Sequence, residues 1–428
     1  MKTKRNFHNL YKKNDSLLCC ILLCTVSAFI VFAYFILRGN GMYLQANDWN
    51  VQQIPFGVAM NRALQEGNPD GWCWNLDLGG SIIQCFSFHN MGSPFYWICL
   101  LFEPEAYPYL MGWIYILKYA AAGITAFLYL RRFVSDERAA VLGALLYEFC
   151  GSQTVNLLFQ FADSIAFFPI LLLGLEEMME NRKKKGLFIF AVFINCLVSY
   201  FQFIQTVVFL IIYFLFRFGT RDYKKLLSDV LQCLVCGVIG VLMAAVLFVP
   251  SVMYILGNSR SGSIETRLFY DFEGILSTLK GMLLPADPME GQFLIKEFNF
   301  DSQNCYLPLT GLSLVFSYLF TRKKSWLKGL LIVLIVGSFF TMFNAMFLLF
   351  TQNYLRWWYM LDLMLILASV IVLSNRDAYN IRLGVIVNVL ITVAFGGSIY
   401  LMNKSGDAPL ILNKKFFILH IMIAILGP

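Results

Sequence analysis

The 428-residue chain is 59% hydrophobic and 16% aromatic but only 14% charged, against roughly 25% charge in an ordinary soluble domain. That composition excludes a water-soluble globule. The formal charge of +7 would suit a nucleic-acid partner only if the basic residues formed a patch, and they do not: they sit between apolar runs of about 16 to 24 residues, the length of helix that crosses a hydrocarbon core of about 30 Å. An outer-membrane barrel is excluded as well, because its strands alternate polar and apolar residues.

In chain order the runs predict an all-α polytopic membrane protein of about twelve transmembrane helices, at 17–37, 109–130, 139–156, 164–178, 187–200, 203–218, 226–256, 306–320, 329–350, 357–373, 383–402 and 416–427. Basic residues fill the N-terminal tail (Lys2, Lys4, Arg5, Lys12, Lys13) and then every second connector: Arg131, Arg132 and Arg138; 182–185; Arg217, Arg221, Lys224 and Lys225; Arg322, Lys323, Lys324 and Lys328; Arg376 and Arg382. Together they hold 22 of the 33 Lys and Arg on one side. By the positive-inside rule that side is the cytoplasm, with both termini on it. The basic surplus is then a topology signal, and nucleic acid is not a partner. The first run lacks a small-residue cleavage pattern and is too long for a signal-peptide core, so it is expected to stay as an anchor. The last run ends within apolar sequence, as a shortened member of something larger would.

This divides the chain into a cytoplasmic tail (1–16), a first span (17–37), an outer loop (38–107), spans two to seven (108–256), a second outer loop (257–305) and spans eight to twelve (306–428). Both outer loops are too long for turns and are composed like folded segments. In the first, Val51, Ile54, Val58, Ala63 and Leu64 recur near helical spacing beside Gln52, Gln53, Asn61, Arg62 and Glu66, which predicts an interfacial helix. The segment 93–102, between Pro94 and Pro104, is apolar but too short to cross, so it dips into the interface or packs on the bundle. The second loop mixes acids and bases (Asp271, Glu273, Asp287, Glu290, Glu297, Asp301) and is expected to cover the outer mouth.

No Walker loop, HExxH, GxSxG or paired CxxC is present, so ATP-driven transport, zinc proteolysis and serine hydrolysis have no sequence support. Most of the 11 Cys lie in spans as small apolar residues. A disulfide between Cys73 and Cys85 stays open in an extracytoplasmic loop.

Asp48, about ten residues beyond the first span, lies near the outer surface. It is either a general base for an acceptor hydroxyl or the N-cap of the interfacial helix. Lys118 stands about nine residues from the outer end of its span and about twelve from the inner. That depth asks for a partner or an aqueous cavity, with snorkelling as the alternative. Arg356 either clamps a phosphate with its donor fork or anchors the helix with Trp357 and Trp358. Asp163 is in a tight outer connector, as site residue or turn. Glu148 and Asp362 lie inside spans and could pair with these cations.

The order of motifs resembles a known family. An outer loop with Asp48 and a Gln-x-x-Pro around Gln53 and Pro55 is followed by a Gly-x-Pro-x-x-Trp-like segment (Gly67 to Trp74), a glycine turn (Gly79, Gly80) and Ser93-Pro94-Phe95. Then come Leu117-Lys118 before small residues, YEFCGS (Tyr147 to Ser152), a Phe-Pro-Ile-Leu-Leu-Leu-Gly-Leu-Glu run (Phe168 to Glu176) and Tyr354-Leu-Arg-Trp357. This series is similar to the bacterial YfhO-type membrane proteins, which belong among the GT-C glycosyltransferases, over nearly the whole chain. The present chain departs from that pattern in its shorter length and in the segment PDGWCWNLDLGG.

The resemblance implies a GT-C-like fold with two folded extracytoplasmic loops. It implies transfer of a sugar, on the outer face, from a polyprenyl-phosphate carrier to a cell-envelope polymer acceptor. Asp48 becomes the catalytic base, and Lys118, Asp163, Arg356, Gln52, Trp74 and His89 form the substrate-binding set. Trp49, Trp72, Trp74, Phe86 and Phe88 are the aromatics available to a sugar ring. No cofactor is required, although a divalent cation at Asp48 fits the pattern. The rival reading is a secondary transporter or flippase of a lipid-linked precursor, since twelve spans also suit a carrier. Carriers usually show two similar halves, and no convincing repeat is visible. A non-catalytic assembly scaffold would leave Asp48 and Lys118 without a task.

Overall fold

The apolar runs fold as helices, and the chain is 72% helical. The computed structural model describes residues 7–45, 48–67, 71–76, 78–87, 89–157, 159, 162–256, 264–287, 303–405 and 410–428. Phe88, Glu290, Glu297, Asp301 and the basic residues of 1–6 lie outside the described residues. Helix α1 (Phe7–Arg38) leads into a π-helical turn, Trp49–Gln53, which runs directly into α2 (Ile54–Gln65). A two-stranded antiparallel hairpin follows, β1 (Trp72–Cys73) with β2 (Gly80–Ser81), then the short α3 (Ile82–Phe86) and α4 (Pro94–Cys99). The helices continue as α5 (Tyr107–Leu130), α6 (Glu137–Glu148), α7 (Gly151–Val155), α8 (Ser164–Glu180), α9 (Gly186–Val198), α10 (Tyr200–Phe218), α11 (Tyr223–Met243) and α12 (Ala245–Leu256). In the second outer loop lies α13 (Phe272–Leu283). It is followed by α14 (Ser313–Leu319), α15 (Trp326–Gly337), α16 (Thr341–Met346), α17 (Trp358–Ser374), α18 (Ile381–Ser405) and α19 (Lys414–Leu426).

Among the described residues five helical stretches are long and apolar enough to cross a membrane: Asp15–Arg38, Pro104–Leu130, Tyr200–Phe218, Tyr223–Met243 and Ile381–Lys404. Four of the twelve expected spans are not single helices. The run 139–156 breaks after Glu148: Cys150 turns to an extended ψ of 162° and the chain restarts as α7. The run 226–256 is interrupted at Ala244, where the bonds from the Ala244 and Leu247 N–H groups tighten to i−3 acceptors, ahead of Pro250 in α12. Run 306–320 is helical only in α14, because Pro308 withholds an N–H and Gly311 takes a φ of +49°. Run 329–350 splits into α15 and α16, with the freed Ser338 carbonyl accepting from the Asn344 amide at 2.9 Å. At the breaks beside Gly151, Leu312 and Ser338 a side chain or a docked segment takes up backbone groups that water cannot reach in an apolar bundle.

Helix α17 is apolar all round and every residue from Trp358 to Val370 is buried, the pattern of a helix enclosed by others. It packs on α6, α7, α8, α14 and α15. One end of the bundle gathers the basic connectors into ion pairs: Arg131 with Glu137 at 3.0 Å, Arg132 with Glu180 at 2.9 Å, Arg217 with Glu176 at 2.8 Å, and Arg182 with Asp229. The opposite end carries α2, α4, α7, α13 and the start of α17. There α2 is fastened to α4 by the Tyr96 hydroxyl on the Gly57 carbonyl (2.9 Å) and by the Asn61 amide on the Cys99 carbonyl (3.0 Å). The segment 93–102 therefore packs on the bundle, with Phe95 against Phe167 at 5.6 Å. Cys73 and Cys85 are not joined by a disulfide.

Helices α8 and α9 cross closely at Gly174, where an added Cβ would stand 2.8 Å from Phe188 backbone atoms. Gly174→Val should therefore cost about 1 to 3 kcal/mol, since backbone cannot step aside as a side chain can. Gly186→Val, at a position with nothing within 4 Å, is the control. Thermal unfolding of the two variants in detergent measures the difference, and equal midpoints would contradict this packing.

Candidate functional site

At the non-basic end, Lys118 of α5 points its ammonium at Asp163, with Nζ 2.6 Å from Oδ1 and both side chains almost fully buried. The ammonium also lies over the rings of Tyr115 (5.2 Å) and Phe95 (5.9 Å). The second oxygen of Asp163 accepts the Ser93 hydroxyl, and the Ser93 oxygen in turn caps α4 by accepting the Tyr96 N–H. Lys118 does not snorkel, and Asp163 is not spent as a cap on α8. The pair closes one side of a cavity of about 20 Å³ lined also by Tyr115, Tyr119, Gln153 and Asn156, a volume that suits about one water molecule.

Arg356 adjoins this cavity through one aromatic ring, and Asp48 immediately precedes Trp49, which packs on the lining Tyr115. The guanidinium of Arg356, only 9% exposed, lies 4.9 Å from the ring centre of Phe159, which also lines the cavity, and stacks near Tyr354 (5.0 Å) and Phe201 (5.6 Å). Its direction is set by Trp357, which stacks on Phe347 at 4.3 Å and donates to Asn344 at 3.2 Å. Trp357 and Trp358 are fully buried, so the interfacial-anchor reading of this segment does not hold. Asp48 is half-buried and makes no capping hydrogen bond to the turn it precedes, which removes the cap reading. Its neighbour Trp49 is packed on Tyr115 at 5.5 Å and on Tyr43 at 5.2 Å, and its indole N–H donates to the Tyr43 carbonyl at 2.9 Å.

The remaining expected site residues stand apart from the cavity lining. Gln52 is in the π-helical turn beside Asp48. Trp74 is 76% exposed on the hairpin, edge-on to Trp72 at 5.7 Å. His89 is buried against Phe56 at 5.0 Å, and burial pushes it down from 6.5 to about 4, so it is neutral at pH 7. Trp49 and Phe86 are core residues, which withdraws them from a sugar-binding role. Nor do Glu148 and Asp362 pair with the cations: Glu148 accepts from Ser27 at 3.1 Å, and Asp362 accepts the Ser152 N–H at 3.2 Å. Among the described residues no group of three or more His, Cys, Asp or Glu is placed to hold a metal.

A family model described as bacterial membrane protein YfhO matches residues 20–427. The chain belongs to the YfhO family. No curated protein and no solved structure matches it.

In this YfhO-family chain the sequence pointed to Lys118, Asp163, Arg356 and Asp48 but missed Ser93, Gln153, Asn156 and the Tyr115–Tyr119 wall. Gln153 and Asn156 had a readable signal, two amides three residues apart at the end of an apolar run. Ser93 had none, since its role depends on a contact 70 residues away.

Because the ion pair is buried, Lys118→Met alone should cost about 3 to 5 kcal/mol by stranding a carboxylate, and the double variant Lys118→Met, Asp163→Leu should recover most of it. A thermal-unfolding double-mutant cycle measures this, and additive losses would contradict the pairing. His89 gives a pH dependence. Between pH 4 and 6.5 the unfolded loop binds a proton that the folded one refuses, so stability is complete above about 6.5 and is lost as pH falls toward 4. His89→Gln should flatten the unfolding midpoint over that window, and an unchanged slope would assign the dependence elsewhere.

Proposed function

We propose that the chain is a polyprenyl-phosphate-sugar-dependent glycosyltransferase of GT-C type that acts on the outer face of the bacterial plasma membrane. The observation that supports the reading is the clustering at the non-basic end: a cavity whose wall holds Lys118 and Asp163, with Arg356 one ring away and with Trp49, the residue after the non-capping carboxylate Asp48, packed on the lining Tyr115. The side opposite the basic connectors is extracytoplasmic if the positive-inside rule holds.

In this reading an acceptor hydroxyl of the envelope polymer attacks the anomeric carbon of the carrier-linked sugar. Its proton passes to Asp48 as the new C–O bond forms. The bond from that carbon to the carrier phosphate breaks, and its electron pair leaves on the polyprenyl phosphate. Arg356, whose planar fork can grip two phosphate oxygens, supports that leaving group. Lys118, held by Asp163, contributes a fixed positive charge nearby. Trp72 and Trp74, exposed at the hairpin, are the aromatics placed to meet a sugar or the acceptor polymer.

Interrupted helices in the bundle favour a second reading, a flippase or transporter, because carriers commonly build their sites from broken spans. Radiolabelled polyprenyl-phosphate sugar in reconstituted vesicles separates the two. Transfer of label to acceptor should be seen, falling about 10²- to 10⁴-fold in Asp48→Asn with folding intact. Arg356→Lys should weaken carrier binding, since an ammonium cannot reproduce the two-pronged contact. Near-normal turnover in Asp48→Asn would end the assignment of the base. Label that crosses the bilayer without transfer would establish the carrier reading.

A further inference from the structure

Three segments far apart in sequence meet where the chain breaks between α6 and α7. The Gly151 N–H donates to the Tyr306 carbonyl at 2.9 Å, and the fit is so close that a Cβ at 151 would lie 1.9 Å from Asn304 Oδ1. The Ser152 hydroxyl donates to the Asn304 carbonyl at 3.0 Å, while the Ser152 N–H donates to Asp362 Oδ2 at 3.2 Å. Beyond the break, the Asn156 amide donates back to the Ser152 carbonyl at 2.7 Å, and the Tyr119 hydroxyl donates to the Gln153 carbonyl at 3.1 Å. Gln153 and Asn156 are the residues this short helix contributes to the cavity wall.

Asp362 is fully buried in the second turn of α17, in a helix whose faces are otherwise apolar. Among the described residues it forms no ion pair with Lys, Arg or His. A carboxyl group in such a place is expensive, and stability alone would be served by leucine. Its described partners lie at the break itself: the Ser152 N–H in the first turn of α7 and the side chain of Cys150 just before it.

We propose that Asp362 is a positioning residue of the site: by accepting the Ser152 N–H it fixes the direction in which α7 leaves the break, and so holds Gln153 and Asn156 against Lys118 and Asp163. What the cavity binds rests on the glycosyltransferase reading, whereas the positioning itself does not. Helix α17 then sets two parts of the site from one rod, Arg356 just before its first turn and the α7 wall through Asp362.

The test uses the full-length protein in detergent with two readouts, hydrogen–deuterium exchange over residues 150–157 and the affinity for farnesyl phosphate. Asp362→Leu should speed exchange across that segment at least tenfold while α9 and α15 keep their rates, and should weaken farnesyl phosphate binding at least tenfold. Asp362→Asn should keep both within twofold, because the amide oxygen accepts the same N–H. Unchanged exchange in Asp362→Leu overturns the proposal. So does an Asn variant as damaged as the Leu variant, because the charge and not the acceptor would then matter. If Asp362→Leu does not fold, Asp362→Asn decides alone, and a tenfold change in its exchange overturns the assignment. Failure of farnesyl phosphate to bind the unaltered protein counts against the glycosyltransferase reading, and the exchange readout still decides the positioning.

Discussion

An ammonium carried into an apolar helix has to be answered where it lies, and Lys118 is answered by Asp163. Almost everything at that end of the bundle is arranged around this demand. Asp163 sits at the head of α8, directly before its first residue. Its second oxygen needs a donor, so Ser93 has to arrive from the outer loop, and Ser93 brings α4 with it. Through Tyr96 and Asn61 the same contacts hold α2, and α2 continues from the turn that bears Asp48. A single buried charge thus orders the first outer loop on the bundle. Its attraction for Asp163 is strong because water is excluded, and for the same reason either partner alone would be costly.

The two polar ends of the bundle differ in kind. At the basic end, ion pairs are many and mostly part-exposed, with side chains such as Glu180 and Arg182 reaching into solvent, and each contributes little. At the other end, exposed pairs such as Arg62 with Glu105 occur beside two enclosed cations. Arg356 is sheathed by three aromatic rings, and Lys118 by two with Asp163 as its counter-ion.

The all-helical architecture was legible because apolar runs with charged connectors admit few other folds. The short α4 and the helix after Asp48 were also readable, from length in one case and spacing in the other. Continuity was not. Hydropathy is blind to a break such as Cys150, because the residues on both sides are apolar and the cause lies elsewhere, in the docking of Asn304 and Tyr306 and in the acceptor on Asp362. For the site, the type of residue was informative where the environment made it costly, as for Lys118, and uninformative where it was cheap. Trp49 and Phe86 looked like a sugar platform but are core, since aromatic side chains announce burial and ligand contact with the same letters.

Helices α9 and α10 are separated by one residue, Ser199, which ends the first and caps the second by accepting the Gln202 N–H at 3.3 Å. A link that short has no polar loop to carry across a bilayer. The far ends of the hairpin carry the basic residues, 182–185 before it and Arg217 with Arg221 after it, so the closed end brings no charge of its own. Two of the pair's buried amides are answered inside their own helices: Asn195 donates to the Ala191 carbonyl at 2.8 Å and Gln205 to the Phe201 carbonyl at 3.4 Å.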